Sequence, residues 1–238
     1  MNYHQNLVFY KSIMNMYKNS KRFSDIILSI ILLVLLSPLF LIIIILLPFF
    51  GEGEIFFGQK RIGLNNKPFR IMKFATMLKN SAQIGTGSIT VRNDYRVTSI
   101  GKYLRITKIN ELPQLINILI GEMSFVGPRP LMEVDFNRYP EEIRNLVYLV
   151  KPGLTGIGSI IFRDEQLIIT KSTLPPSETY KEYILPYKGA LEVWYQRNAG
   201  ILTDLKIFLL TFWCLIFPGT DLPHKSFSNL PEREKFHV

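Results

Sequence analysis

The chain has 238 residues, room for one domain with an anchor or for two small domains, and its 28 Lys+Arg against 19 Asp+Glu leave a formal charge of +9. That surplus favours polyanionic partners: nucleic acid, anionic head groups, or nucleotide and lipid phosphates. The single cysteine, Cys214, excludes an intrachain disulfide and fits a reducing compartment.

Residues 1–22 form a basic segment with Lys11, Lys18, Lys21 and Arg22. Residues 23–50 follow as a membrane segment, in which Ile26 to Phe50 is a run of 25 residues without a charge. As one straight helix it would reach about 37 Å, enough to cross a hydrocarbon core of about 30 Å. It is too long and too late for a secretory signal. Ser37-Pro38 lies at its centre. Pro38 has no N–H for the carbonyl of Val34, so a kink or break is expected there. Each half is then only about 18–20 Å long, too short to cross alone. Ser37 can bond the freed carbonyl and make the bend tolerable in lipid. Both flanks are basic, with Lys60, Arg61, Lys67, Arg70 and Lys73 on the far side. Cytoplasmic flanks on both sides favour a re-entrant helix-break-helix over a single span.

Residues 51–217 read as a compact cytosolic domain with interfacial helices. Gly51 to Glu54 is a turn, and Ile55–Gln59 and Pro68–Phe74 are strands of a small hairpin around Gly63 to Lys67. Lys79 to Val97 is polar and reads as loop. Short helices are expected over Ser99–Leu104 and from Asn110 or Glu111 to Ile120, with Gly121 at its end. Glu133–Tyr139 and Pro140–Val150 are further helices, Lys151 to Gly156 is a turn-rich break, and Ile157–Phe162 is an apolar strand. Tyr180–Tyr195 and Ile201–Ile216 are helical. The last lies either at a membrane interface or in a core, since Asp204 and Lys206 interrupt its apolar run. The polar tail 218–238 is expected to be poorly ordered. The fold class is α+β and mostly α.

Glu111, at an expected helix start where the dipole favours a carboxylate, is the acid to follow. Arg105 and Lys108 lie just upstream and can hold a diphosphate beside it. Capping alone also explains an acid there. Lys73 ends the second strand, where an exposed lysine is ordinarily just solvated. Arg129 stands between two prolines, which present its guanidinium with little entropy left to lose. Such a fork suits bidentate phosphate contacts, although a salt bridge to Glu133 or Asp135 is the plain alternative. Arg163-Asp164-Glu165 is a further charged cluster, with a solvated face as its plain reading. The absence of GxxxxGK[ST], paired zinc ligands and GxSxG argues against P-loop, zinc and serine-hydrolase chemistry, and the histidines (His4, His224, His237) lie near the ends. No nucleic-acid fold signature accompanies the charge, so nucleic acid is not expected as a partner.

From Lys21 to about Thr211 the chain resembles the bacterial monotopic phosphoglycosyl transferases. The resemblance rests on ordered motifs: Lys21-Arg22-Phe23-Ser24-Asp25, Ser37-Pro38, Gln59-Lys60-Arg61-Ile62-Gly63 and Lys73-Phe74-Ala75-Thr76-Met77. It continues through Glu111-Leu112-Pro113-Gln114-Leu115, Gly121-Glu122-Met123-Ser124, Gly127-Pro128-Arg129-Pro130 and Lys151-Pro152-Gly153-Leu154-Thr155-Gly156. It implies transfer of a sugar-1-phosphate from a UDP-sugar to polyprenol (undecaprenyl) phosphate, with UMP released and Mg²⁺ required. It also implies a re-entrant helix broken at Ser-Pro, contact with membrane lipids on the cytosolic face of the bacterial inner membrane, and downstream glycosyltransferases as partners. On this resemblance Lys73, Arg105, Asn110, Glu111, Arg129 and Arg163 fall on active-site positions, Glu111 helping to bind metal and the cations, with Lys108, holding phosphates.

One departure is chemical. Asn110 stands where the family has a nucleophilic Asp, and a carboxamide is a poor nucleophile. Three readings stay open: Glu111 attacks, the lipid phosphate attacks directly with Asn110 orienting it, or the chain is a lapsed homologue that scaffolds other enzymes or only binds UDP-sugar. Ala75 for Arg and Glu122 for Asp are smaller departures.

Overall fold

The protein is described by a computed structural model covering residues 3–81, 83–85, 90–91, 93–217 and 219–232, with side chains from residue 16 onward. Helix α1 (Tyr3–Leu35) runs from the basic segment into the apolar one without a break, and α2 (Ser37–Phe50) leaves it at 61°. The bend has the cause anticipated from Ser37-Pro38: the Ser37 hydroxyl donates to the Val34 carbonyl at 2.8 Å, the acceptor Pro38 leaves free. Among the described residues no single helix is long and apolar enough to cross a membrane, whereas the bent pair meets that length and composition together.

Strands β1 (Phe56–Ile62) and β2 (Pro68–Phe74) form an antiparallel hairpin in which Gln59 faces Ile71 and Arg61 faces Phe69. At its tip Asn65 and Asn66 take positive φ, which asparagine tolerates. Helix α2 folds back on this hairpin: Ile43 and Leu47 pack with Phe74 and with Leu104 of α3 (Ser99–Ile106) in a small separate core.

Helix α4 (Gln114–Ile120) begins later than expected. Pro113 occupies its N-cap, and Asn110 and Glu111 belong to a 3₁₀ turn, Ile109–Glu111, entered through Lys108 at φ 61°. Glu111 therefore does not begin an α-helix, and a helix dipole does not account for its charge. Arg22 of α1 donates to the last carbonyls of α4, Ile118 O at 2.6 Å and Leu119 O at 2.7 Å, while Asp25 accepts from Ser124 Oγ and Phe125 N–H, both at 3.1 Å. The motif Lys21 to Asp25 thus locks the apolar helix to the body.

A second sheet was not foreseen. Strand β3 (Ser124–Val126) pairs in parallel with β4 (Gly153–Thr155), which lies in the expected turn-rich break. The pairing demands bare backbone: a Cβ on Gly127 would lie 2.4 Å from Lys151 O, and one on Gly153 2.2 Å from Gly127 N. Helices α5 (Glu133–Phe136) and α6 (Glu141–Val147) are shorter than expected, Pro140 capping the second. Residues Ile157–Ile161 form helix α7 instead of a strand. Periodicity does not separate the two for so short an apolar run, and burial of Ile157 and Ile160 at a spacing of three decides it.

Helices α8 (Glu165–Lys171) and α9 (Pro176–Thr179) lead through a π turn, Tyr180–Ile184, into α10 (Leu185–Asn198). Helix α11 (Ile201–Ile216) splits the two expectations held for it. Ile207, Leu210 and Cys214 are buried, while Leu202, Leu205, Leu209, Phe212 and Ile216 form an exposed apolar face. Asp204 on its first turn accepts from Tyr17, Lys21 and Tyr195, joining α11 to α1. The tail departs from its expectation within the described residues: α12 (Leu222–Ser226) is followed by Phe227 and Leu230, which pack on the main core, and Tyr187 donates to Pro231 O at 3.1 Å. Residues 218 and 233–238 of the expected tail, and 82, 86–89 and 92 of the expected loop, lie outside the described residues. That loop is closed at its base by a bridge between Met77 and Val97.

The main core joins Leu115 and Ile118 of α4, Phe125 and Val126 of β3, Ile157 of α7, and Ile184, Leu191 and Tyr195 around α10. Fold and class agree: mostly helical, with two small two-stranded sheets.

Candidate active site

A small pocket lies where the hairpin, the 3₁₀ turn and the second sheet converge. Its walls are Arg61 of β1, Ile71 and Lys73 of β2, Glu111, Gln114 at the start of α4, Arg129 and Pro130, and Gly153 and Leu154 of β4. Each side chain has a local reason to be there. Lys73 and Ile71 share a strand face, and Arg61, paired opposite Phe69, lies on that same face. Asn117 of α4 accepts from Met72 N–H at 3.0 Å and donates to Arg70 O at 2.8 Å, fixing the helix against the strand that carries Lys73. The parallel pairing of β3 with β4 sets the Pro-Arg-Pro corner against Gly153 and Leu154.

Glu111 is the centre. Lys73 Nζ donates to its Oε1 at 2.7 Å, and Arg129 Nη2 stands 3.5 Å from the same atom. Burial pushes the carboxyl up, but Lys73, Arg129 and Lys108 together outweigh burial and hold it well below the usual carboxylate range. Burial pulls Lys73 down to about 8, against the opposing pull of Glu111. Glu111 raises Arg129 above its ordinary value. Arg61 is lowered by burial to about 10; its Nη1 donates to Pro130 O at 3.3 Å, its Nη2 to Gln59 Oε1 at 2.5 Å, and its Nε has no partner. Three cations face one carboxylate on the wall, a formal surplus of two positive charges that suits an anion such as a diphosphate in sign.

The structure gathers Lys73, Glu111 and Arg129 as anticipated, and it replaces two plain alternatives. Lys73 is a largely covered ion-pair member, and Arg129 pairs with Glu111, Asp135 being taken by Arg138 at 3.0 Å. Arg105 and Lys108 stand outside the pocket wall. Arg105 Nη2 donates to Thr90 Oγ1 at 3.0 Å, and burial lowers it below its ordinary value, while Lys108 is exposed on its left-handed turn. Arg163 also lies outside the wall; its Nη2 reaches Leu215 O at 3.5 Å and its buried Nη1 has no partner. Its neighbour Glu165 is not a solvated charge but pairs with Lys188 of α10. Asn110 is buried, does not line the pocket, and its Oδ1 has no partner.

Arg61 and Gln114 are the side chains that sequence reading passed over. Gln114, almost fully buried at the start of α4, lines the pocket. Both carried a signal: Gln114 follows Glu111 by three, and the hairpin alternation places Arg61 on the same face as Lys73.

Among the described residues no group of three or more His, Cys, Asp or Glu side chains is placed to hold a metal. Magnesium, however, is commonly held through one carboxylate and substrate phosphates, and an ionised Glu111 beside Arg61, Lys73 and Arg129 fits that donor set.

These features define an α+β body with a cation-lined pocket, joined to a bent apolar helix pair. The family described as bacterial sugar transferase matches residues 16–218, and the chain belongs to it. It is 37% identical over 194 residues to a UDP-glucose:undecaprenyl-phosphate glucose-1-phosphate transferase of Klebsiella pneumoniae, covering 79% of this chain and 40% of that protein. It is 34% identical over 206 residues to the exopolysaccharide production protein ExoY of Sinorhizobium fredii, covering 81% and 83%. A UDP-N-acetylgalactosamine-undecaprenyl-phosphate N-acetylgalactosaminephosphotransferase of Aeromonas hydrophila is 38% identical over 143 residues, covering 59% and 34%. The chain thus spans well under half of some relatives and most of others.

Proposed function

We propose that the protein is a phosphoglycosyl transferase moving a sugar-1-phosphate from a UDP-sugar to polyprenol phosphate, yielding polyprenyl-diphosphate sugar and UMP. The observation that carries this reading is the cluster of Arg61, Lys73 and Arg129 around one ionised carboxylate, in a chain of this family. The cations neutralise the donor diphosphate and favour charge developing on the UMP oxygen, as at phosphoryl-transfer sites generally. Lys108, Arg105 and Arg163 add positive potential around the entrance. Mg²⁺, held by Glu111 and the substrate phosphates, would supply further neutralisation of the leaving group.

The lipid phosphate is the attacking group. Its oxygen bonds to the sugar-bearing phosphorus of the donor, the bridging P–O bond breaks, and the electron pair leaves with UMP. Two observations favour this route over a covalent one. Asn110 offers no anionic oxygen, and Glu111 has one oxygen held by both Lys73 and Arg129 and is weakly basic. The bent pair would dip into the cytosolic leaflet of the bacterial inner membrane and return, the exposed apolar face of α11 resting on the lipid, so that the pocket meets the acceptor's head group. The buried Asn110 also supports a second reading, a lapsed homologue that binds UDP-sugar without turnover. Purified protein with polyprenol phosphate and a panel of UDP-sugars tests both: UMP release with at least one donor is expected, and binding without release across the panel would favour the second.

A further inference from the structure

Arg129 is held on the pocket wall by its main chain, and the groups that hold it lie behind the wall. Its N–H donates to Glu192 Oε1 at 3.3 Å, and its carbonyl accepts from the Tyr148 hydroxyl at 2.7 Å. That hydroxyl also accepts from Leu131 N–H at 2.8 Å, so Tyr148 closes the corner on its far side. Glu192 comes from α10 and is 4% exposed. Its Oε2 has no partner, and Lys188 on the same helix is taken by Glu165. Burying a carboxyl with an unsatisfied oxygen is costly, so an apolar residue would be the ordinary occupant of such a place. Gly158 of α7 makes room for it: a Cβ there would lie 2.7 Å from Glu192 Oε1. Burial pushes this carboxyl up to about 8, so near neutral pH it meets the loop as an uncharged acceptor and does not compete with Glu111 for the guanidinium.

We infer that Glu192 is a positioning residue: by accepting the Arg129 N–H from behind the pocket, it sets where the Arg129 guanidinium meets the donor's diphosphate. The inference rests on the pocket being the donor site, but not on turnover.

The test is a double-mutant cycle on the full-length protein in detergent or nanodiscs, read as UDP affinity by calorimetry and, in parallel, as kcat/KM. Glu192→Gln keeps the acceptor and should stay within about twofold of wild type, whereas Glu192→Leu, similar in size but without an acceptor, should weaken UDP binding about tenfold. In an Arg129→Ala background the Leu change should have an effect of less than about twofold, because the side chain being positioned is gone. Should Glu192→Leu fail to fold, Glu192→Asp, which withdraws the acceptor by one methylene, should show a smaller loss with the same dependence on Arg129. Equal losses in both backgrounds, or a Leu or Asp variant as harmless as Gln, would overturn the inference. Absence of UMP release from wild-type protein would instead count against the proposed reaction, with the UDP cycle still deciding the role of Glu192.

Discussion

Lys73 and Glu111 are 38 residues apart in the chain and meet at 2.7 Å, with Arg129 closing on the same carboxylate oxygen at 3.5 Å. The pair explains how a strand-end lysine and a turn carboxylate both stay charged while largely covered. Two buried charges cost several kcal/mol unless each finds a partner. Replacing Glu111 by Gln leaves Lys73 surrounded by cations. That variant should lose at least about a hundredfold in UMP release, with the Lys73 pKa falling further below its present value. Activity measured beside a lysine-specific labelling profile against pH checks both.

The pH dependence follows from the same pair. Lys73 titrates near 8, so affinity for the donor should fall as pH rises through that value and the cation is lost. Glu111 is held well below the usual carboxylate range, so no acid limb from it should appear between about pH 5 and 7. The stability signs are opposite. The depressed Lys73 opposes folding below about pH 8, a cost that fades as pH rises from there toward the ordinary lysine value. The depressed Glu111 contributes stability present above the ordinary carboxylate pKa and lost only as pH falls toward its own. Calorimetric titration with UDP from pH 6 to about 9.5 reads the first effect directly.

Much of this was legible in the sequence, and its failures have causes. Ser37-Pro38 announced the bend because the missing N–H is a local property of proline. Lys73, Glu111 and Arg129 were named, yet their meeting depends on a hairpin register and a parallel pairing between segments far apart. The second sheet was hidden because Gly153 to Thr155 reads as turn chemistry, and only the close backbone of Gly127 makes it a strand. The late start of α4 lay in view at Pro113, which favours the first turn of a helix and so moves Glu111 outside it. Glu192 gave no signal, since a lone acid on a helix is ordinarily solvated.

If the lipid phosphate attacks directly, donor and acceptor must be bound together. Initial-rate plots against both substrates should intersect, and no phosphosugar mass should appear on the peptide carrying Glu111. Asn110→Asp restores an anionic oxygen but at a buried position off the pocket wall, so it should change the rate by less than about threefold and leave the plots intersecting. Parallel plots, or a trapped adduct, would favour a covalent route.

The bend should be needed for topology. Single cysteines at Lys18 and Glu52, flanking the bent pair in a Cys214→Ser background, should be labelled from the same side of inverted membrane vesicles. Pro38→Leu restores the N–H that Val34 O lacks, so it should straighten the pair and reduce UMP release by about tenfold or more. Unchanged labelling and activity in that variant would show the break to be dispensable.

Packing behind the site should carry the stability. Leu191 of α10 is fully buried in the main core, and Leu191→Ala should cost about 2–5 kcal/mol, seen as a lower thermal midpoint. Leu202→Ala on the exposed face of α11 should leave that midpoint within a few tenths of a kcal/mol and act instead on vesicle binding.

The stereochemical course at the transferred phosphorus is the most direct measurement. A UDP-sugar made chiral at its sugar-bearing phosphate should give polyprenyl-diphosphate sugar with inverted configuration, as a single in-line displacement between two bound phosphates requires. Retention would mean two displacements, and with them a covalent enzyme intermediate that this site, with Asn110 buried and Glu111 held by Lys73 and Arg129, is not built to form.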